Sequence, residues 1–140
     1  MNEIDFGKKE LHRVMQMIHN GINKNTEVYA LFHDGNRSPY RWIHEYQEDN
    51  QNSIKMTLVQ YAFHMLQIIH KDQEPISLMI TAQRKAERKT QQQVAELIEV
   101  PLISYRQWEK GRNFPPLDKA FKIADVLNFD ITTLKIYIEK

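Results

Sequence analysis

The chain contains no cysteine. That excludes disulfide staples, thiol nucleophiles and cysteine-ligated zinc, and it fits a reducing cytoplasm. Glycine and proline are scarce, four and five in 140 residues. They are scattered, so there is no long low-complexity stretch. No apolar run approaches the roughly 20 residues that span a bilayer. The opening segment, MNEIDFGKKELHRV, lacks the uninterrupted apolar core of a signal peptide. The expectation is a soluble, cytoplasmic protein with no membrane partner. No P-loop, GxGxxG or HExxH pattern occurs either. Six histidines (His12, His19, His33, His44, His64 and His70) are present without the spacing of convergent metal ligands. They read as solvated or core-edge side chains. No catalytic residue, metal or cofactor is expected, and the chain does not read as an enzyme.

What is present is unevenly placed. The overall charge is +1, yet residues 1–75 carry a net −2 and residues 76–140 a net +3. Arg84, Lys85, Arg88 and Lys89 lie close together in the basic half. Such a cluster can meet phosphates; by itself it describes a solvated helix face equally well. A length of 140 residues accommodates one ordinary domain or two small ones.

Residues 5–20 read as an amphipathic helix, with Leu11, Val14, Ile18 and Ile22 on one face. Asn2 or Asp5 caps it and Asn20-Gly21 stops it. Residues 24–43 admit two readings. A small hairpin would use Val28–Phe32, an Asp34-Gly35 turn and a return strand Tyr40–Ile43, which Pro39 would confine to a sheet edge. The favoured alternative is a helix starting after Ser38-Pro39 and running to about Glu48. Ser53 then caps a helix from Ile54 to Lys71 whose stripe is Ile54, Leu58, Tyr61, Met65 and Ile68, widened by Val59, Phe63, Leu66 and Ile69. A helix this apolar is central to a core or buried in a dimer. Met15, Met17, Met56, Met65, Tyr61 and Phe63 read as core or interface, and methionine adapts well to partner surfaces. The polar run Lys71–Pro75 marks a boundary. The expected division is a helical dimerisation or partner-binding domain over 1–74, with a possible small β-hairpin, and a second domain over 75–140.

Five short helices are expected in the second part: Ile76–Glu87, Gln91–Ile98, Leu102–Lys110, Leu117–Leu127 and Ile131 to about Ile138. Thr90 caps the second and Gly111 closes the third. Asn128 sits where a left-handed backbone follows the fourth. Val94, Ala95, Leu97, Val100, Tyr105 and Trp108 supply a small core between helices.

The segment Thr90-Gln91, then Ala95, a turn, and Trp108-Glu109-Lys110-Gly111 resembles the Cro/repressor, or XRE-type (lambda-repressor-like), helix-turn-helix family. The resemblance covers about 60 residues from Ile80 onward. It implies a mainly α fold with a five-helix DNA-binding domain, and a sequence-specific transcriptional regulator that binds double-stranded operator DNA as a homodimer. It places Leu102–Lys110 in the major groove. It implies that Gln91 and Gln92, at the start of the second helix, reach a phosphate or base edge. Leu102, Ile103, Ser104, Arg106 and Gln107 face outward, with Arg106 suited to guanine and Gln107 to adenine. Lys110, Arg112 and Asn113 meet the backbone. Arg84 and Glu109 match a structural ion pair, and Trp108 a core position.

The sequence departs from the family pattern at three places. Leu102 and Ile103 replace polar base readers; they can touch thymine methyls or bind another protein. Glu99 stands where the turn usually has Gly, a position that tends to need φ > 0. Arg88 and Lys89 replace small and apolar residues before Thr90. An alternative function is an antitoxin or phage-type modulator, whose first domain binds a protein partner while the helix-turn-helix autoregulates.

Overall fold

The computed structural model describes residues 3–32, 39–43 and 53–134, with side chains for 3–30 and 54–134. The chain forms two compact units, Met1–Lys71 and Asp72–Lys140.

In the first unit helix α1 (Glu3–His19) precedes strands β1 (Glu27–Phe32), β2 (Pro39–Ile43) and β3 (Ser53–Thr57), and helix α2 (Leu58–Ile69) follows. The strands form one antiparallel sheet in the order β2-β1-β3. Two expectations are corrected here. Residues 39–43 are a strand, not the start of a helix. β1 and β2 pair antiparallel as the hairpin requires, and Pro39 sits on an edge strand, the place in a sheet where proline is tolerated. The Asp34-Gly35 turn and residues 44–48 lie outside the described residues.

The second correction concerns Ile54–Lys71. Its first residues belong to β3, and the helix is capped by Thr57, not Ser53. Thr57 Oγ1 accepts from the Gln60 amide at 3.2 Å while Thr57 N donates to Gln60 Oε1 at 2.9 Å, a complete capping box. The spacing of Ile54 and Leu58 fits a helix, but β1 offers Met56 and Ile54 partners in Val28 and Ala30. A strand partner distant in sequence overrides a local periodicity. The start of α2 is further tied to the segment before β1, through Leu58 N to Thr26 O and Val59 N to Lys24 O, both 3.0 Å.

Helix α2 is buried over most of its girth, from Leu58 to Ile68. Helix α1 packs on it closely at Gly7. A Cβ there would lie 3.2 Å from side-chain atoms of both Ile68 and Ile69. Tyr61, fully buried, donates to Glu10 Oε1 at 2.9 Å. Arg13 grips both oxygens of the same carboxylate. Burial raises the Glu10 pKa, but the bonds from Arg13 and Tyr61 outweigh it and hold it below the ordinary carboxylate value.

In the second unit the helices are α3 (Pro75–Ala86), α4 (Gln91–Leu97), α5 (Leu102–Glu109) and α6 (Leu117–Val126). Pro75 occupies the first turn of α3, where no N–H is needed. Thr90 caps α4 as expected, through its own capping box with Gln93. Only the beginning of the expected fifth helix, 132–134, lies within the described residues. The core contains Leu78, Ile80, Val94, Ala95, Ile98, Tyr105, Ile123 and Leu127. Leu97 is not part of it. Its side chain points outward and is 57 % exposed, and Ile98 is buried in its place. Leu97 is the last residue of the seven-residue helix and Ile98 its C-cap, and so short a helix gives too little periodicity to distinguish them.

Helices α3, α4, α5 and α6 all end in a left-handed residue followed by an amide that reaches back five residues. Lys89 N bonds Arg84 O, Val100 N bonds Ala95 O, Arg112 N bonds Gln107 O and Phe129 N bonds Ala124 O, at 3.0–3.3 Å. These are Schellman closures. Glycine fills the left-handed position only after α5, at Gly111; elsewhere it is Arg88 (φ 59°), Glu99 (φ 60°) and Asn128 (φ 56°). Asparagine tolerates this region, whereas Arg and Glu are held there against about 1–2 kcal/mol each. Glu99→Gly is therefore expected to stabilise the second unit by about 0.5–1 kcal/mol, the relieved strain less the extra entropy of glycine in the unfolded chain. A Cβ at Gly111 would lie 3.2 Å from Ser77 Oγ and 3.3 Å from Glu74 Cβ, so Gly111→Ala is expected to cost more than about 1 kcal/mol. Urea denaturation of the two variants should move the midpoint in opposite directions; a shift in the same direction would refute the strain argument.

Candidate nucleic-acid interface

Helix α5 has two faces with different tasks. Tyr105, Trp108 and Glu109 point inward and are buried. Tyr105 and Trp108 meet edge to face, with ring centroids 6.2 Å apart. Among the described residues, no hydrogen-bond partner meets the buried Tyr105 hydroxyl. Burial, then the nearby Glu109 charge, pushes its pKa up, so it stays protonated.

Glu109 is the polar centre of this inner face, with a side chain only 4 % exposed. Arg84 of α3 grips it in a fork, Nε to Oε2 at 2.6 Å and Nη2 to Oε1 at 3.0 Å. Two more donors converge on Oε1, Thr81 Oγ1 at 3.2 Å and Gln91 Nε2 at 3.1 Å. Arg84 also donates Nη1 to the carbonyl of Lys89, just before α4, at 2.9 Å. One carboxylate and one guanidinium thus tie α3, the α3–α4 turn, α4 and α5 together. Burial alone would lower the Arg84 pKa; Glu109 outweighs it and holds the guanidinium above its ordinary value. The expected structural pair is present, and Arg84 is committed to it.

The outer face carries the residues singled out from the sequence. Ile103 is 68 % exposed, and Arg106 and Lys110 are exposed, while Leu102, Ser104 and Gln107 are half-buried. Arg112 and Asn113 follow in the exposed turn. Ile103, Ser104, Gln107 and Asn113 are brought together along one open groove of about 510 Å³, completed by Trp108, Phe114 and Pro116. Phe114 was not anticipated. It sits in a turn, where no periodicity marks which side chains stay exposed. Arg106 and Gln91 are also brought together, Arg106 Nε donating to Gln91 Oε1 at 3.3 Å. Gln92 is not joined to this set; its amide donates to Glu96 within α4 at 2.8 Å. Leu97 lines a separate groove with Arg88, Lys89, Gln93 and Glu96. At the back of α4, Lys119 of α6 donates to the Ile98 carbonyl at 3.1 Å.

Comparison with known proteins agrees with this geometry. Residues 80–134 match the helix-turn-helix family. Over 52 residues the chain is 44 % identical to the cryptic phage CTXphi transcriptional repressor RstR of Vibrio cholerae serotype O1. That similarity covers 37 % of this chain and 46 % of the repressor, so the chain spans less than half of that relative's length. No solved structure matches the chain. Among the described residues, no group of three or more histidines or carboxylates is placed to hold a metal ion, and no helix is long and apolar enough to cross a membrane.

The ion pair yields a direct test. Removing Arg84 strands a carboxylate that is almost wholly out of water. Arg84→Ala is expected to destabilise the second unit by about 3–5 kcal/mol, read from its urea midpoint. A loss below about 1 kcal/mol would mean that the pair is not what holds these helices together.

Proposed function

We propose that this chain, whose residues 80–134 belong to the helix-turn-helix family, is a repressor-like transcriptional regulator that reads operator DNA through Leu102–Lys110 laid in the major groove. The observation that carries this reading is the division of α5. Its inner face is locked by Glu109 and Trp108, and its outer face presents Ile103, Arg106 and Lys110 to solvent. Arg106 suits the acceptors of guanine and Gln107 those of adenine, while Leu102 and Ile103 suit thymine methyls. Ser104 adds a hydroxyl that bonds either donor or acceptor edges. Lys110, Arg112 and Asn113, at and beyond the end of α5, suit phosphates and set register. The likeness to a transcriptional repressor supports the direction of regulation.

The regulator is proposed to act as a homodimer, since a two-fold protein matches a two-fold operator. Phe114, Leu117 and Phe121 of the second unit are each exposed, and exposed large apolar side chains support association. Residues 1–74 are proposed as the dimerisation or partner-binding part. A second reading keeps the same DNA surface but makes the chain a phage-type modulator, or an antitoxin, whose first unit binds another protein. The phage origin of the repressor relative favours the phage-type form.

Selection of bound duplexes from a random pool tests the proposal. Enrichment of a palindrome is expected, with affinity falling steeply as salt rises. Arg106→Ala should lose about 1–3 kcal/mol of discrimination at one base pair, with weaker effect on binding to unrelated DNA. No enrichment would overturn the DNA surface on which both readings rest; enrichment together with co-purification of a small protein would favour the second one.

A further inference from the structure

We propose that Gln91 is a positioning residue for Arg106 and not itself a contact to DNA, and that it turns the guanidinium so that the two terminal nitrogens meet the base edge. The inference rests on the DNA reading above and changes the role of Gln91 within it.

The chemistry of its two neighbours fixes how the Gln91 amide must face. The Glu109 carboxylate, held by Arg84, can only accept hydrogen bonds, and Arg106 Nε–H can only donate one. Between them a carboxamide has one satisfying orientation: Nε2 toward Glu109, at 3.1 Å, and Oε1 toward Arg106 Nε, at 3.3 Å. The flipped amide would set oxygen against carboxylate and N–H against N–H. The anchor is itself immobile. Gln91 is the first residue of α4, the Thr90–Gln93 capping box fixes that helix start, and Arg84 binds the carbonyl just before it. The buried ion pair therefore extends through one residue and two hydrogen bonds to the exposed face of α5.

Two consequences follow. An exposed arginine, otherwise free to sample many rotamers, is given a preferred direction before DNA arrives. With Nε engaged, Nη1 and Nη2 remain, which is the end-on fork that fits guanine O6 and N7. Gln91 thereby contributes to sequence choice without touching a base.

The test uses the full chain with Gln91→Met, which keeps the length of the side chain and removes both polar atoms. In the free protein, the Arg106 Nε–H resonance is expected to move in Q91M to the position of a fully solvated arginine, while that of Arg84 stays in place. Binding is then measured to a duplex selected by the wild-type protein and to a shuffled duplex of the same composition. Q91M should weaken the selected duplex about 5- to 20-fold, leave the shuffled duplex and the salt slope unchanged, and have no further effect in an R106A background. Equal loss on both duplexes with a shallower salt slope would instead show Gln91 on a phosphate and overturn the proposal, as would additivity with R106A or an unmoved Arg106 resonance. If no duplex is preferred over another, the DNA reading itself fails and this role with it. The resonance arm still separates that case from one in which the Gln91–Arg106 bond never forms.

Discussion

The second unit depends on the buried ion pair between Arg84 and Glu109. Taking both charges out of water is costly, and a single contact would not offset it. The carboxylate recovers the loss by accepting four hydrogen bonds, two from Arg84 and one each from Thr81 and Gln91. The donors belong to α3 and α4, and the carboxylate to α5. Apolar packing of Val94, Ala95, Tyr105 and Trp108 brings these helices together without direction, whereas the ion pair fixes which turn of α3 faces which turn of α5. The short helices make such a device necessary, since seven or eight residues bury too little surface to set their own angles.

That fixed angle links the fold to the proposed function. Helix α5 can lie in a groove only if its outer face is aimed as a rigid piece, and its aim is set from inside by Trp108 and Glu109. The Schellman closures act in the same sense at the helix ends. They turn the chain sharply after α3 and α4 and tolerate Arg88 and Glu99 in a backbone region that glycine fills more cheaply. Strain at Glu99 is carried in the turn between the two central helices, where a looser connection would let their angle drift. The first unit is organised differently, with a three-stranded sheet and a helix pair that closes at Gly7.

Legibility in the sequence followed the range of the interactions. Thr90, Gly111 and Asn128 act on backbone groups within a few residues of themselves, so their roles as cap and closures could be read directly. The helices of the second unit lie within about two residues of their expected bounds for the same reason. The pattern from Ile54 onward fits a helix capped by Ser53, and the strand Ser53–Thr57 escapes it because its hydrogen-bonding partner lies more than twenty residues away in β1. Strand or helix after Pro39 was likewise a matter of what stood alongside. Leu97 and Ile98 are neighbours of equal apolarity, and only the position of α5 and α6 decides which is buried. Among the residues proposed to read DNA, outward exposure of Ile103 and Arg106 was legible from the inward spacing of Tyr105 and Trp108. The groove completed by Phe114 was not, because it joins a helix to a turn.

The resemblance to a repressor family that opened the functional question was determined by the sequence alone. Thr90-Gln91, Ala95 and Trp108-Glu109-Lys110-Gly111 are local signals of capping, close approach and closure, and each retains its meaning wherever the segment is placed. The ion pair of Arg84 and Glu109 was implied by the family resemblance that these signals carry, not by the signals themselves. Only the tertiary structure decided what that pair reaches. Gln91 and Arg106 are fifteen residues apart on different helices, and their meeting depends on the angle at which α4 crosses α5. No local propensity encodes that angle; it arises from packing and from a buried charge that must find its donors.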